Sequence, residues 1–109
     1  MIMYKRYAQK ITVIKTMSAL DVYGKELPEL GEDVSPYCHR FKVGQEFIID
    51  GNAQKPDDFC SWAWHDIFPI VTTLRCGGNF PWMKKGGTFY ACCTDGARPV
   101  FFKLERIED

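Results

Sequence analysis

Apolar and polar residues alternate most regularly near the C-terminal end of the chain, from Val100 to Glu105. A period of two residues is typical of a strand with one buried face. The run Thr88–Thr94 is also rich in residues that favour strands, and Asp95–Gly96 between the two runs is a turn signal. The pattern therefore predicts a β-hairpin whose strands are Thr88–Thr94 and Pro99–Ile107.

The segment Phe59–Cys76 contains apolar residues at helical spacing and predicts the one long helix. Asp57 or Asp58 is the expected cap at its start, and Gly77–Gly78 the expected end. Pro69 lies inside this segment, where proline removes a hydrogen bond and costs about 3 kcal/mol. We therefore expect a kink at Pro69 or two shorter helices. The apolar stripe of the helix consists of Ala63, Ile67, Ile70 and Leu74.

Shorter elements follow from local signals in the first half of the chain. Ile11–Ile14 is rich in β-branched residues and predicts a strand. Ser18–Asp21 has the form of a capping box and, with Gly24 as a C-terminal cap, predicts a short helix over Ala19–Tyr23. Residues 24–36 contain two glycines and two prolines and predict a solvated acidic loop. Phe47–Ile49 predicts a further strand.

These elements predict an α+β fold in which a small antiparallel sheet of about four strands packs on one main helix. The chain has 109 residues, which suits one domain over residues 1–109, and we expect residues 1–9 to form a mobile basic arm. The hydrophobic content of 46% excludes an intrinsically disordered chain.

The formal net charge is zero, because fourteen basic residues balance fourteen acidic ones. A balanced charge gives no attraction to nucleic acid or to an anionic membrane, so neither is an expected partner. The longest apolar stretch, Phe59–Leu74, is interrupted by polar residues and is too short to span a bilayer. We therefore expect a cytoplasmic protein whose five cysteines are reduced, and the odd count agrees with this expectation.

Several motifs occur in order along the chain and together resemble one family. This family consists of small single-domain prokaryotic proteins, frequent in anaerobes, that have no assigned activity. The resemblance extends from about Lys10 to Glu108, implies one intact domain, and has two departures, at Pro69 and Cys76. The motifs that carry it are Ile11–Lys15, Cys38 with Phe41–Phe47, Phe59–Trp64, Gly77–Trp82 and Cys92–Val100.

Four cysteines in these motifs are candidate ligands for zinc or an iron–sulfur cluster. Their spacing lacks the close Cys-x-x-Cys pairs of usual sites. Adjacent residues on a strand point to opposite faces, so only one of Cys92 and Cys93 would join a shared centre. His39 or His65 would complete a ligand set. The competing interpretation is that the thiols are buried as small hydrophobic groups. The four candidates are Cys38, Cys60, Cys92 and Cys93.

A reactive thiol is the third interpretation of the cysteines. Cys60 stands at the start of the predicted helix, where the helix dipole stabilises a thiolate. Cys38 is followed by the basic residues His39 and Arg40. His65 would lie about 140° around the helix from Cys60, so it does not serve as the base for that thiol.

Aromatic and basic residues suggest a ligand site that includes Cys60 and either Cys92 or Cys93. Trp62 would form an aromatic wall, and Trp82 would belong to a lid over the pocket. Arg98 would hold an anionic ligand at the mouth of the pocket. The simpler interpretation is that Arg98 pairs with Asp95 in the hairpin turn.

Three functions follow from these candidates. The leading one is a domain that binds a small ligand or a protein partner without catalysis. The second is a thiol-based redox or metal protein that uses Cys38, Cys60 and one of the vicinal cysteines. The third is a homo-oligomer in which the helix or a sheet edge forms the interface.

Overall fold

The computed structural model describes residues 4–108 and contains four strands and two helices. Neither helix in this part of the chain is long and apolar enough to cross a membrane. The elements are β1 (Gln9–Thr16), α1 (Ala19–Tyr23), β2 (Glu46–Ile49), α2 (Ser61–Arg75), β3 (Thr88–Cys92) and β4 (Val100–Arg106).

The four strands form one antiparallel sheet in the order β2-β1-β4-β3. In the centre of the sheet Ile11 pairs with Leu104, and Val13 pairs with Phe102. These side chains are fully buried, and together with the inner face of α2 they form a single core. The predicted α+β fold, with a four-stranded antiparallel sheet on one main helix, is confirmed.

The short helix α1 has the predicted capping box. The Ser18 hydroxyl accepts the backbone N–H of Asp21, and the Asp21 carboxylate accepts the backbone N–H of Ser18. Gly24 ends the helix with φ of 73°, a left-handed conformation that glycine adopts without steric strain. Local sequence therefore determines both ends of α1.

The start of α2 differs from the prediction. Cys60 is the N-cap residue and makes no side-chain capping bond, so the expectation that Asp57 or Asp58 caps the helix is wrong. Phe59, which is fully buried, packs on Phe41, Phe47 and other aromatic rings of the core. Burial of this ring fixes where the helix begins, which a local capping rule does not take into account.

Pro69 lies within one continuous helix, so the alternative of two shorter helices is wrong. The missing N–H leaves the carbonyl of His65 without its usual helical donor. Both His65 and Pro69 are exposed, and solvent can satisfy that carbonyl. The Thr73 hydroxyl also donates to the Pro69 carbonyl at 2.8 Å, which ties the next turn to the proline.

The end of α2 is a Schellman motif. Gly77 has φ of 87° and its N–H donates to the Leu74 carbonyl, while the Gly78 N–H donates to the Thr73 carbonyl. A Cβ on Gly78 would lie 2.9 Å from the Thr73 methyl group. The Gly77–Gly78 pair therefore ends the helix as predicted.

Part of the expected basic arm belongs to the fold. The Tyr7 N–H donates to the Arg75 carbonyl, and Gln9 is a fully buried residue of β1. The Gln9 side-chain amide donates to the Val71 carbonyl of α2 at 3.0 Å. Residues 4–6 are exposed, and residues 1–3 of the predicted arm lie outside the described residues.

Candidate functional site

The best candidate site is a cavity of about 670 Å³, which we call the loop cavity. It lies between the first turn of α1, the acidic loop from Glu26 to Tyr37, and Arg98 of the β3–β4 turn. Two elements that are distant in sequence, α1 and the hairpin turn, therefore contribute to one concave surface.

Arg98 is positioned by the turn that the sequence predicts. One oxygen of Asp95 accepts the backbone N–H groups of Ala97 and Arg98, at 3.0 and 3.2 Å. The other oxygen lies 3.5 Å from Nε of Arg98. Among residues 4–108, the two terminal guanidinium nitrogens of Arg98 have no hydrogen-bond acceptor. The side chain is thus oriented through Nε, and its terminal nitrogens remain available to a ligand.

The remaining wall of the loop cavity is mixed in chemistry. Its apolar part comes from leucine, valine and proline side chains of α1 and the loop, including Leu20, Leu27 and Val34. Glu26 and Glu32 contribute carboxylates. The site therefore combines an apolar surface with one guanidinium and two acids.

The loop is attached to α1 through Tyr37 and Asp21. The Tyr37 hydroxyl donates to the Asp21 carboxylate at 3.1 Å, and the Ser35 hydroxyl donates to the Tyr37 carbonyl. Hydrogen bonds from Ser18, first from its backbone and then from its hydroxyl, hold the pKa of Asp21 below the ordinary value of 3.8, and Tyr37 contributes to the shift. The capping box of α1 therefore also supports one side of the cavity.

The predicted cysteines fall into two groups. Cys38, Cys60 and Cys93 are half-buried and pack against the core. Cys92 and Cys76 are exposed, and Cys76 lies at the opposite end of α2 from Cys60. Cys92 and Cys93 differ in exposure, in agreement with the expectation that neighbours on a strand face opposite sides.

Burial raises the pKa of the Cys93 thiol, and the nearby Asp95 and Cys38 raise it further. The backbone N–H of Val100, which donates to the Cys93 sulfur at 3.4 Å, and that of Asp95 oppose the shift. Cys93 is therefore a neutral thiol at pH 7, which does not favour it as a nucleophile.

The candidate metal ligands do not form a cluster. Within residues 4–108, no group of three or more histidine, cysteine, aspartate or glutamate side chains is placed to hold a metal ion. Cys92 is exposed on the other side of the sheet, and this separates it from Cys38, Cys60 and Cys93. Binding of zinc or an iron–sulfur cluster therefore stays a prediction, and residues 4–108 contain no assembled ligand set for it.

Trp62 takes part in a polar network that the sequence did not indicate. Its indole N–H donates to the Thr94 hydroxyl at 2.6 Å. Both the hydroxyl and the backbone N–H of Thr94 bond the Asp66 carboxylate. Trp62 and Asp66 are four residues apart on α2, so they share one helix face, and this spacing is the signal that sequence reasoning missed.

Trp82 lies away from the other candidates. It packs on Phe80 and on Phe89, near the start of β3, whereas Trp62 lies beside Thr94, beyond its end. The structure therefore brings Cys60, Trp62 and Cys93 toward the end of the molecule where α2 begins, and leaves Trp82 and Cys92 outside this group. Arg98 belongs to the loop cavity, which Trp82 does not line.

A second concave surface, the helix groove, lies on the outer side of α2 and has a volume of about 600 Å³. It is mostly apolar and includes His65, the histidine considered above as a ligand or base. The rings of Trp64 and Phe68 contact each other there, with centroids 5.9 Å apart and an interplanar angle of 53°. The groove is lined by Lys55, Ser61, Trp64, His65, Phe68 and Pro69.

Comparison of the chain with protein-family models, curated proteins and solved structures finds no match. The resemblance to the small prokaryotic family therefore stays an expectation.

Proposed function

We propose that this protein is a cytoplasmic binding domain whose loop cavity holds a small ligand with an apolar body and one anionic group. The observation that carries the proposal is the position of Arg98, which lines the cavity and is held at Nε by Asp95. A guanidinium with open terminal nitrogens suits a carboxylate or a phosphate, because it can donate two parallel hydrogen bonds.

The size of the cavity supports a small molecule as the ligand. Sites for small ligands usually have volumes of about 300–1,000 Å³, and the loop cavity falls within this range at about 670 Å³. Apolar side chains of α1 and the loop would cover the body of the ligand. Glu26 and Glu32 would repel additional negative charge, so a ligand with a single anionic group is favoured over a polyanion.

Binding of monocarboxylates and organic monophosphates tests the proposal directly. The probes are hexanoate, phenylacetate and phenyl phosphate, measured by isothermal titration calorimetry. We expect at least one probe to bind, and Arg98→Gln to weaken that probe by roughly tenfold to a hundredfold. Arg98→Lys keeps the charge but loses the paired donors, and it should retain part of the affinity.

Arg40→Gln is the matched control, because Arg40 is an exposed arginine outside the loop cavity. This variant should bind the probes like the wild type. The proposal fails if no probe binds the wild-type chain, or if Arg98→Gln and Arg40→Gln bind equally well. Urea unfolding of both variants shows whether an affinity change reflects loss of the fold.

A thiol-based function is the second candidate, and the packing of Cys38 and Cys93 against one core favours it. Both thiols are half-buried. The two thiols would form a disulfide by giving two electrons and two protons to an external disulfide, which is reduced to two thiols. Incubation with oxidised glutathione, followed by peptide mass analysis, should then yield a Cys38–Cys93 crosslink. A product modified only at the exposed Cys76 and Cys92 would argue against this function.

A further inference from the structure

The two edges of the sheet differ in how their outer backbone groups are used. β3 is one edge of the sheet. Two hydrogen bonds show which of its residues face β4: the Arg106 N–H donates to the Gly87 carbonyl, and the Cys93 N–H donates to the Val100 carbonyl. In an antiparallel pair, hydrogen-bonded positions alternate along the strand. Odd-numbered residues from 87 to 93 therefore bond to β4, and even-numbered residues direct their N–H and carbonyl groups outward.

Two of the outward-facing residues are not open to a partner strand. The Thr94 N–H donates to Asp66, and Thr88 is buried with its hydroxyl on the Lys85 carbonyl. The residues that remain are Tyr90 and Cys92, which are both exposed and have no outer backbone partner among the described residues. Their free groups are symmetric about Ala91, which lies between them.

This edge lacks the features that usually prevent strands from pairing. The run Thr88–Thr94 contains no charged residue and no proline. The opposite edge, β2, is only four residues long and carries Glu46 on its exposed side. Proteins normally protect free edges with charges, prolines or short strands, so β3 has the properties of a strand that pairs with another chain.

Charges at the two ends of β3 favour a second copy of this chain as the partner. The basic residues Lys84 and Lys85 precede the strand. At its other end Asp95 is paired with Arg98, and the Asp66 carboxylate bonds Thr94, so this end is net acidic. Antiparallel pairing about a two-fold axis places the start of one β3 beside the end of the other. Each basic pair then faces an acidic end, and this occurs twice in the dimer.

Exposed tryptophans at the same edge add to this complementarity. Trp82 is 71% exposed and packs near the start of β3, and Trp62 is 60% exposed and bonds to Thr94 beyond its end. Pairing about Ala91 brings Trp62 toward Trp82 of the partner subunit. Large aromatic side chains are enriched in interfaces because they bury much surface at small entropic cost.

We propose that two copies of this chain form a dimer through β3, and that the two sheets join into one sheet of eight strands. Tyr90 exchanges two backbone hydrogen bonds with Cys92 of the partner subunit, and the symmetry repeats the exchange. Ala91 lies on the two-fold axis. The paired residues Tyr90–Cys92 do not line the loop cavity, so Cys92→Pro tests the dimer and Arg98→Gln tests ligand binding separately.

Sedimentation equilibrium of the full chain measures the dimer. We expect twice the chain mass of 12.6 kDa at high concentration. Cys92→Pro removes an outward N–H and leaves the bonds to β4 intact, and it should raise the dissociation constant at least about tenfold. Tyr90→Lys, which places like charges near the axis, should also weaken the dimer.

Ile48→Pro is the control, because Ile48 is an exposed residue whose N–H faces outward on the β2 edge. This variant should dimerise like the wild type. A wild-type chain that stays monomeric at several hundred micromolar overturns the proposal. A dimer unchanged by both Cys92→Pro and Tyr90→Lys also overturns it, since another surface would then form the contact.

Alkylation of the native cysteines gives a second readout without any substitution. Cys92 and Cys76 are both exposed in the monomer, but only Cys92 lies on the paired edge. Under the proposal, the alkylation rate of Cys92 falls severalfold as protein concentration rises, while that of Cys76 stays constant. Equal rates for both thiols across the concentration range would contradict the β3 interface.

Discussion

Two regions of the molecule are stabilised in different ways: the core between the sheet and α2, and the surroundings of the loop cavity. Between the sheet and α2, fourteen hydrophobic residues form one buried cluster. Around the loop cavity most residues from Glu26 to Tyr37 are exposed, and the loop is attached to α1 by single hydrogen bonds such as that from Tyr37 to Asp21. Stability therefore resides mainly in the first region, and the second can change with smaller effects on the fold.

The largest effect is expected from Phe59→Ala in the core. Phe59 is fully buried and contacts the rings of Phe41, Phe47, Trp64 and Phe102. Its truncation leaves a cavity and should lower the free energy of unfolding by about 3–5 kcal/mol. Urea denaturation followed by circular dichroism measures this loss.

Phe68→Ala is the companion variant for Phe59→Ala. Phe68 is on the same helix but is 41% exposed. Its loss should cost well under half as much, because less surface is buried and little cavity remains. Equal losses for the two variants would show that the core is not the main source of stability.

A smaller effect is expected from Gly77→Ala at the end of α2. The left-handed conformation of Gly77 and the Tyr7 ring 3.3 Å from the new methyl group should together cost about 1–2 kcal/mol. Gly31→Ala in the loop, where the methyl group makes only an ordinary contact with Val34, should change stability by less than about 0.5 kcal/mol. Thermal unfolding of both variants measures the stability lost at the end of α2 and in the loop for the same glycine-to-alanine change.

Ser18→Ala should cost about 1 kcal/mol, because it removes one half of the capping box. Ser61→Ala, at the first residue of α2 where no side-chain cap bond forms, should be nearly neutral. Since Ser18 also lines the loop cavity, its variant should weaken ligand binding as well. Unfolding in urea, combined with calorimetry on the best probe, separates these two effects.

The smallest effect concerns pH and Asp21. Its pKa is lowered in the folded state, so its contribution to stability is present above the ordinary value of 3.8 and is lost as the pH falls through the folded value. The stability gap between the wild type and Asp21→Ala should therefore be constant near pH 6 and shrink below pH 3.8. Asp33→Ala, an exposed loop aspartate, should show no such change, and a gap independent of pH would contradict the assignment.

Elements fixed by neighbouring residues were predictable from the sequence. Hydrogen bonds between residues within a few positions of each other form the capping box of Ser18 and Asp21, the glycine end of α2 and the Asp95 turn. The hydrophobic alternation also identified β4, although the observed strand is shorter than Pro99–Ile107.

Features that depend on distant residues were not predictable. The start of α2 is set by the burial of Phe59 among rings from three other segments. The bond from Trp62 to Thr94 joins residues that are 32 positions apart. The sequence suggested a site that combined Arg98 with Cys60, but the structure places Arg98 in a cavity formed with the acidic loop. No local pattern indicates which loop packs beside the hairpin turn.

The strand order has a consequence for synthesis of the chain on the ribosome. β4 is translated after the other three strands, and it lies in the middle of the sheet between β1 and β3. Until it emerges, β1 has only the four-residue β2 as a partner, and β3 has none. The nascent domain therefore leaves β3 and one edge of β1 unpaired until translation has passed residue 106. A chaperone would be of most use in this interval.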